Sequence, residues 1–147
     1  MKISEMEKCG RYPNLIEIIF HIKDWEPFEI GNEIDKENVS KLIQHISEFI
    51  SHSEKSIREY EYASLEWTDM WEMSCRWWAK NIRGLRELNN YCKEEGIWRK
   101  RMISNPHIEE YLEVKFQEGL EKGKTDEEAE EYAWDVLENY HGRVLCE

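Results

Sequence analysis

WTDMWEMSCRWW, residues 67–78, holds four of the chain's seven tryptophans and two of its five methionines. The question it sets is what covers so much aromatic surface. On a helical wheel of about 100° per residue, Trp67, Trp71, Ser74, Trp78, Ile82, Leu85, Asn89 and Cys92 fall on one arc, which is the expected core stripe. Arg76, Lys80 and Arg83 lie opposite. Met70, Met73, Trp77, Leu88 and Tyr91 lie on a flank that widens the apolar arc to about half the circumference, beyond the ~100° of a helix resting on one core. Gly84 shares that flank and admits a close backbone. The pattern predicts a long helix from about Ser64 to Glu95, closed by Gly96. Two readings of the flank stay open. Either the chain's own elements cover both sides of the helix, or Met70, Met73, Trp77 and Tyr91 form a partner or dimer surface of the composition such surfaces favour.

Working outward, Asp35 caps a preceding helix whose stripe is Val39, Leu42, Ile43, Ile46, Ile50, Ile57 and Tyr60, with a bend expected at Ser51-His52-Ser53. Downstream, Pro106 opens a helix carrying Ile108, Tyr111, Leu112, Phe116 and Leu120. Thr125 and Glu128 have capping-box spacing for a further helix that buries Ala129, Tyr132, Ala133, Val136, Leu137 and Tyr140 and ends at Gly142. Residues 14–30, NLIEIIFHIKDWEPFEI, fit either a helix after Pro13 or a buried strand, and the isoleucine-rich run favours a strand or small hairpin. The expected fold class is therefore mainly α. It is a single-domain helical bundle (1–147) of about four helices, with an N-terminal strand, hairpin or short helix (1–33), two long helices (35–95) and a C-terminal helical hairpin (105–142).

The 147 residues carry a net charge of −12 with 40% hydrophobic and 35% charged content, too apolar for a disordered chain and too charged for a membrane protein. No apolar run approaches the roughly 20 residues of a membrane span, and MKISEMEKCGRYP lacks the features of a secretory leader. Cys9, Cys75, Cys92 and Cys146 form no CxxC pair, so reduced thiols and a cytoplasmic setting are expected. Charge is segregated: residues 1–75 hold 8 Lys/Arg against 16 Asp/Glu, residues 76–102 hold 8 against 3, and residues 103–147 hold 4 against 13.

Arg76, Lys80, Arg83, Arg99, Lys100 and Arg101, beside Trp98, make a basic surface of the kind single-stranded nucleic acid binders use. Glu87, Glu94 and Glu95 among them, and the acidic ends, make nucleic acid an unfavoured partner. His45 and His52 are about 10.5 Å apart along a helix, too far to share one ion. Glu138 and His141 have Glu-x-x-His spacing, but a second such pair is missing. His21 reads as a core or edge residue. No phosphate loop, Gly-x-Ser-x-Gly or zinc spacing occurs, so neither catalytic residues, cofactor nor metal is expected.

These features lead to the expectation of a non-enzymatic interaction protein. Its acidic face, Asp126, Glu127, Glu128, Glu130, Glu131 and Asp135, would bind a protein with a basic surface and inhibit or modulate a nucleic-acid-handling protein by imitating DNA. Phage-encoded antirestriction and anti-CRISPR proteins act in this manner; the parallel is one of charge and size, carried by no motif. The alternatives are a structural or regulatory helical subunit that docks or homodimerises through the Trp/Met flank, and a nucleic-acid-binding module using residues 76–101.

Overall fold

A computed structural model describes residues 1–23, 31–60, 68–97 and 106–140. Among them are six helices and no strand: α1 Ile3–Cys9, α2 Pro13–Lys23, α3 Lys36–Tyr60, α4 Thr68–Glu94, α5 Pro106–Glu121 and α6 Asp126–Glu138. The fold is mainly helical, as the periodicity predicts. The expected N-terminal strand is a helix over 13–23. Leu15, Ile18, Ile19 and Ile22 are all buried at three- and four-residue steps, while Glu17 and His21 stay exposed. A strand would have put Leu15, Glu17, Ile19 and His21 on one face and buried two polar groups. The helix is also capped from a distance. The backbone N–H groups of Asn14 and Leu15 donate to Oε1 of Glu87 at 2.9 and 3.2 Å, placing a carboxylate at a helix N-terminus. The remainder of the expected strand or hairpin, 24–30, lies outside the described residues.

The described residues gather into two compact units, to each of which α3 and α4 contribute a segment: Met1–Ile50 with Lys80–Ser104, and Ser51–Ala79 with Asn105–Glu147. In the first unit, α1 packs on α2, and the N–H of Ile3 donates to Asn32 O at 2.9 Å while that of Ile34 donates to Met1 O at 3.0 Å. This forms one isolated antiparallel bridge between Lys2 and Glu33, the extent of β pairing among the described residues. Asp35 caps α3 as expected, its Oδ1 accepting from the N–H of Asn38 at 2.9 Å. No break appears at residues 51–53: α3 runs through, and Ser53 is itself buried. A serine is small enough to carry the apolar stripe between Ile50 and Ile57. Helix α4 ends at Gly96 with φ +65°, and Ile97 N–H bonds to Cys92 O at 2.9 Å, the six-to-one closure of a Schellman motif.

In the second unit α5 and α6 form the expected hairpin. Gly123 (φ +83°) turns the chain. Gly119 permits the close crossing, since a Cβ there would stand 3.0 Å from both Cα and Cβ of Ala129. Thr125 and Glu128 make the capping box, the N–H of Glu128 donating to Thr125 Oγ1 and that of Thr125 to Glu128 Oε1, both at 3.2 Å. Helix α6 buries Ala129, Ala133, Trp134 and Leu137. Trp134 was absent from the expected inward set, whose Tyr132 and Val136 are half-buried and whose Tyr140 is exposed.

Candidate interaction surfaces

The apolar flank of α4 divides in two. Leu88 and Tyr91 are fully buried, whereas Met70, Met73 and Trp77 are 38, 51 and 43% exposed. Tyr91 therefore belongs to the core rather than to a partner surface. Its ring meets Tyr12 edge-on with centroids 5.6 Å apart, and its hydroxyl donates to Ile34 O at 2.8 Å. Burial pushes that hydroxyl from its ordinary 10.0 up to about 12, with the nearby carboxylate of Glu95 acting in the same direction. Gly84 lies beneath α2: an added methyl would overlap Cδ1 of Ile18 and come within 3.9 Å of the Asn14 backbone. The neighbouring tryptophans of the opening stretch separate as the wheel predicts. Trp78 is buried and donates Nε1–H to Glu54 Oε1 at 3.3 Å, with its ring 6.1 Å from that of Tyr140. Trp71 of the core stripe is half-buried, and Trp67 lies outside the described residues.

On α6, Glu127, Glu131 and Asp135 are exposed at four-residue steps, a row with one carboxylate about every 6 Å. Asp126 is exposed at the first turn. Glu130 is half-buried. Glu128 is drawn back into the capping box, and its hydrogen bonds with the Thr125 backbone and side chain hold its carboxyl below the ordinary 4.5. Glu138, weighed from sequence only for its spacing to His141, extends the same row by three residues and is half-buried.

The hairpin's three lysines are gathered onto tyrosines. Lys115 pairs with Glu118 at 3.1 Å and lies 5.5 Å from the Tyr111 ring centroid. Lys122 and Lys124 lie 4.7 and 5.6 Å from that of Tyr132, and Lys122 Nζ donates to the Tyr132 hydroxyl at 3.1 Å. Positive charge in the hairpin is thus held at Tyr111 and Tyr132.

Three members of the expected basic surface, Arg76, Lys80 and Arg83, lie within the described residues. Lys80 is paired with Glu17, and Glu87, counted with that stripe, serves the N-terminus of α2. Arg11, from outside the stripe, bonds Glu94 at 2.7 Å, which also accepts from Tyr12 at 2.6 Å. Arg76 is exposed and Arg83 half-buried; Arg99, Lys100 and Arg101 lie outside the described residues. No group of three His, Cys, Asp or Glu side chains among the described residues could hold a metal ion. His45 and His21 both flank Phe49, at 6.1 and 6.2 Å between ring centroids, and burial lowers the pKa of His45 against the opposing pull of Glu48. No helix among the described residues is long and apolar enough to cross a membrane.

The chain matches no family model, no curated protein and no solved structure.

Proposed function

We propose that this is a non-catalytic interaction protein whose α5–α6 hairpin docks on the basic, nucleic-acid-binding surface of another protein and inhibits or modulates it. The observation that carries the reading is the exposed row Glu127, Glu131 and Asp135 on a helix fixed by its capping box and by the Gly119–Ala129 crossing. A row spaced at about 6 Å has roughly half the linear charge density of one DNA strand, whose phosphates rise about 3.4 Å per step. Glu110 and Glu113 on α5 are exposed as well. Such a face competes with phosphate for arginine and lysine, the strategy of phage-type DNA mimics. Because the carboxylates are exposed, binding depends on ionic strength.

The test is capture of partners on immobilised protein, followed by elution with salt or with duplex DNA. The reading expects basic nucleic-acid-binding proteins that either agent releases, and loss of capture when Glu127, Glu131 and Asp135 are all replaced by lysine. Partners indifferent to duplex DNA, or undiminished capture by the triple variant, would reject it.

A further inference from the structure

The N-terminal half of α4 has a face that is complementary to itself, and the geometry points to a second copy of this chain as its occupant. Around Met73 the exposed surface has two edges. Asp69 and Arg76 lie along one, Met70 and Trp77 along the other, with Met73 between them. Each pair is seven residues apart, close to two full turns and about 10.5 Å along the axis. The midpoints of the two pairs fall on either side of Met73, one residue apart. A twofold axis at Met73 therefore brings both pairs into register together.

In an antiparallel pair related by that axis, each edge lies beside the same edge of the other copy. Asp69 meets Arg76 of the second copy and the reverse, Met70 meets Trp77, and Met73 meets Met73. This is the self-complementary pattern of an isologous interface. A parallel pair would lay the charged edge of one copy against the apolar edge of the other, so the charges select the antiparallel arrangement as flanking charges do in coiled coils. Neither Asp69 nor Arg76 pairs with another charged side chain among the described residues. Three apolar side chains and two ion pairs form a contact smaller than the ~1,200 Å² of stable complexes. The dimer is therefore a concentration-dependent equilibrium. It uses none of the α6 carboxylates, so it stands apart from the docking reading above.

Sedimentation equilibrium of the full chain at low salt tests this. The wild type is expected to dimerise reversibly. Asp69→Arg and Arg76→Asp each place like charges opposite one another twice, and each should weaken self-association about tenfold. An equimolar mixture of the two variants should regain association. The first variant carries two cations on the charged edge and the second two carboxylates, so both contacts across the axis of a mixed dimer are attractive. Circular dichroism melts separate loss of pairing from loss of fold: Arg76→Asp is expected to leave the melt unchanged, and Asp69→Arg, which replaces the acidic residue in the first turn of α4, to lower it only slightly. A wild type that stays monomeric to about 1 mM, single variants that dimerise like the wild type, or a mixture that does not associate would each overturn the proposal.

Discussion

Met73 and Tyr91 are eighteen residues apart on α4, five full turns, and so are Met70 and Leu88; each pair occupies one wheel position. Yet Tyr91 and Leu88 are wholly buried, and Met73 and Met70 are exposed. The difference lies in what surrounds each half. In the first unit Tyr12 comes against Tyr91 and Ile18 against Gly84. In the second unit the described residues leave the same side of α4 open to solvent. One helix can thus carry an unbroken apolar flank that serves as core at one end and as surface at the other.

The sharpest way to break this comparison is to truncate the equivalent positions. Tyr91→Ala removes a buried ring and a buried hydrogen bond and should cost about 3–5 kcal/mol, whereas Met73→Ala should change stability by only about 0.5 kcal/mol. Urea unfolding of the two variants measures both. Equal losses would show that the flank is covered along its whole length.

This equivalence also marks the limit of what could be read from sequence. Period specifies which residues share a side of a helix, so the stripes of α3 and α4, the Ala129, Ala133 and Leu137 part of α6 and the packing of α5 on α6 were legible, as were local signals such as Asp35, Gly96 and the Thr125–Glu128 box. Period does not say which side is covered, because that depends on elements far away in the chain. Tyr91 was misplaced for this reason. Helix α2, one of the two readings of residues 14–30, ranked second to a strand for a related reason: its N-terminal N–H groups are satisfied by Glu87, 73 and 72 residues away from Asn14 and Leu15, and no local side chain caps it. The acidic row of α6 was legible because helical spacing alone creates it. The capping duty of Glu128 and the docking of lysines on Tyr111 and Tyr132 bear on that row, and only the latter needed the fold to be seen.

A smaller effect sharpens the comparison at Gly84. Gly84→Leu drives a side chain into Ile18 and the Asn14 backbone, and overpacking of this kind should cost about 1–3 kcal/mol. Gly84→Ala should come out close to neutral. Its methyl meets the tip of Ile18, which can swing aside, and the helix gains about 1 kcal/mol when alanine replaces an interior glycine. Thermal melts that rank the two variants in the opposite order would show that α2 does not cover this flank closely.

The smallest effect at neutral pH is also the most specific to the covered half. The Tyr91 hydroxyl titrates from 10.0 in the ordinary state up to about 12 in the fold, chiefly because burial opposes a phenolate; burial raises Tyr12 in the same direction, aided by its bond to Glu94. The unfolded chain therefore releases these protons first. Stability from both groups is fully present below pH 10 and is lost as pH climbs, for Tyr91 over the interval from 10.0 to about 12. Tyr91→Phe leaves the Ile34 carbonyl without this donor and should cost about 1 kcal/mol at pH 7. It should also flatten the alkaline fall, since one of the two groups no longer titrates. Met73→Tyr at the equivalent exposed position should leave the fall as steep as in the wild type, because a hydroxyl open to solvent ionises alike in the folded and unfolded chain. Urea unfolding repeated from pH 8 to about 12 compares the three slopes. A Tyr91→Phe slope as steep as the wild type's would mean that Tyr91 is not the buried group that packs on Tyr12 and bonds to Ile34.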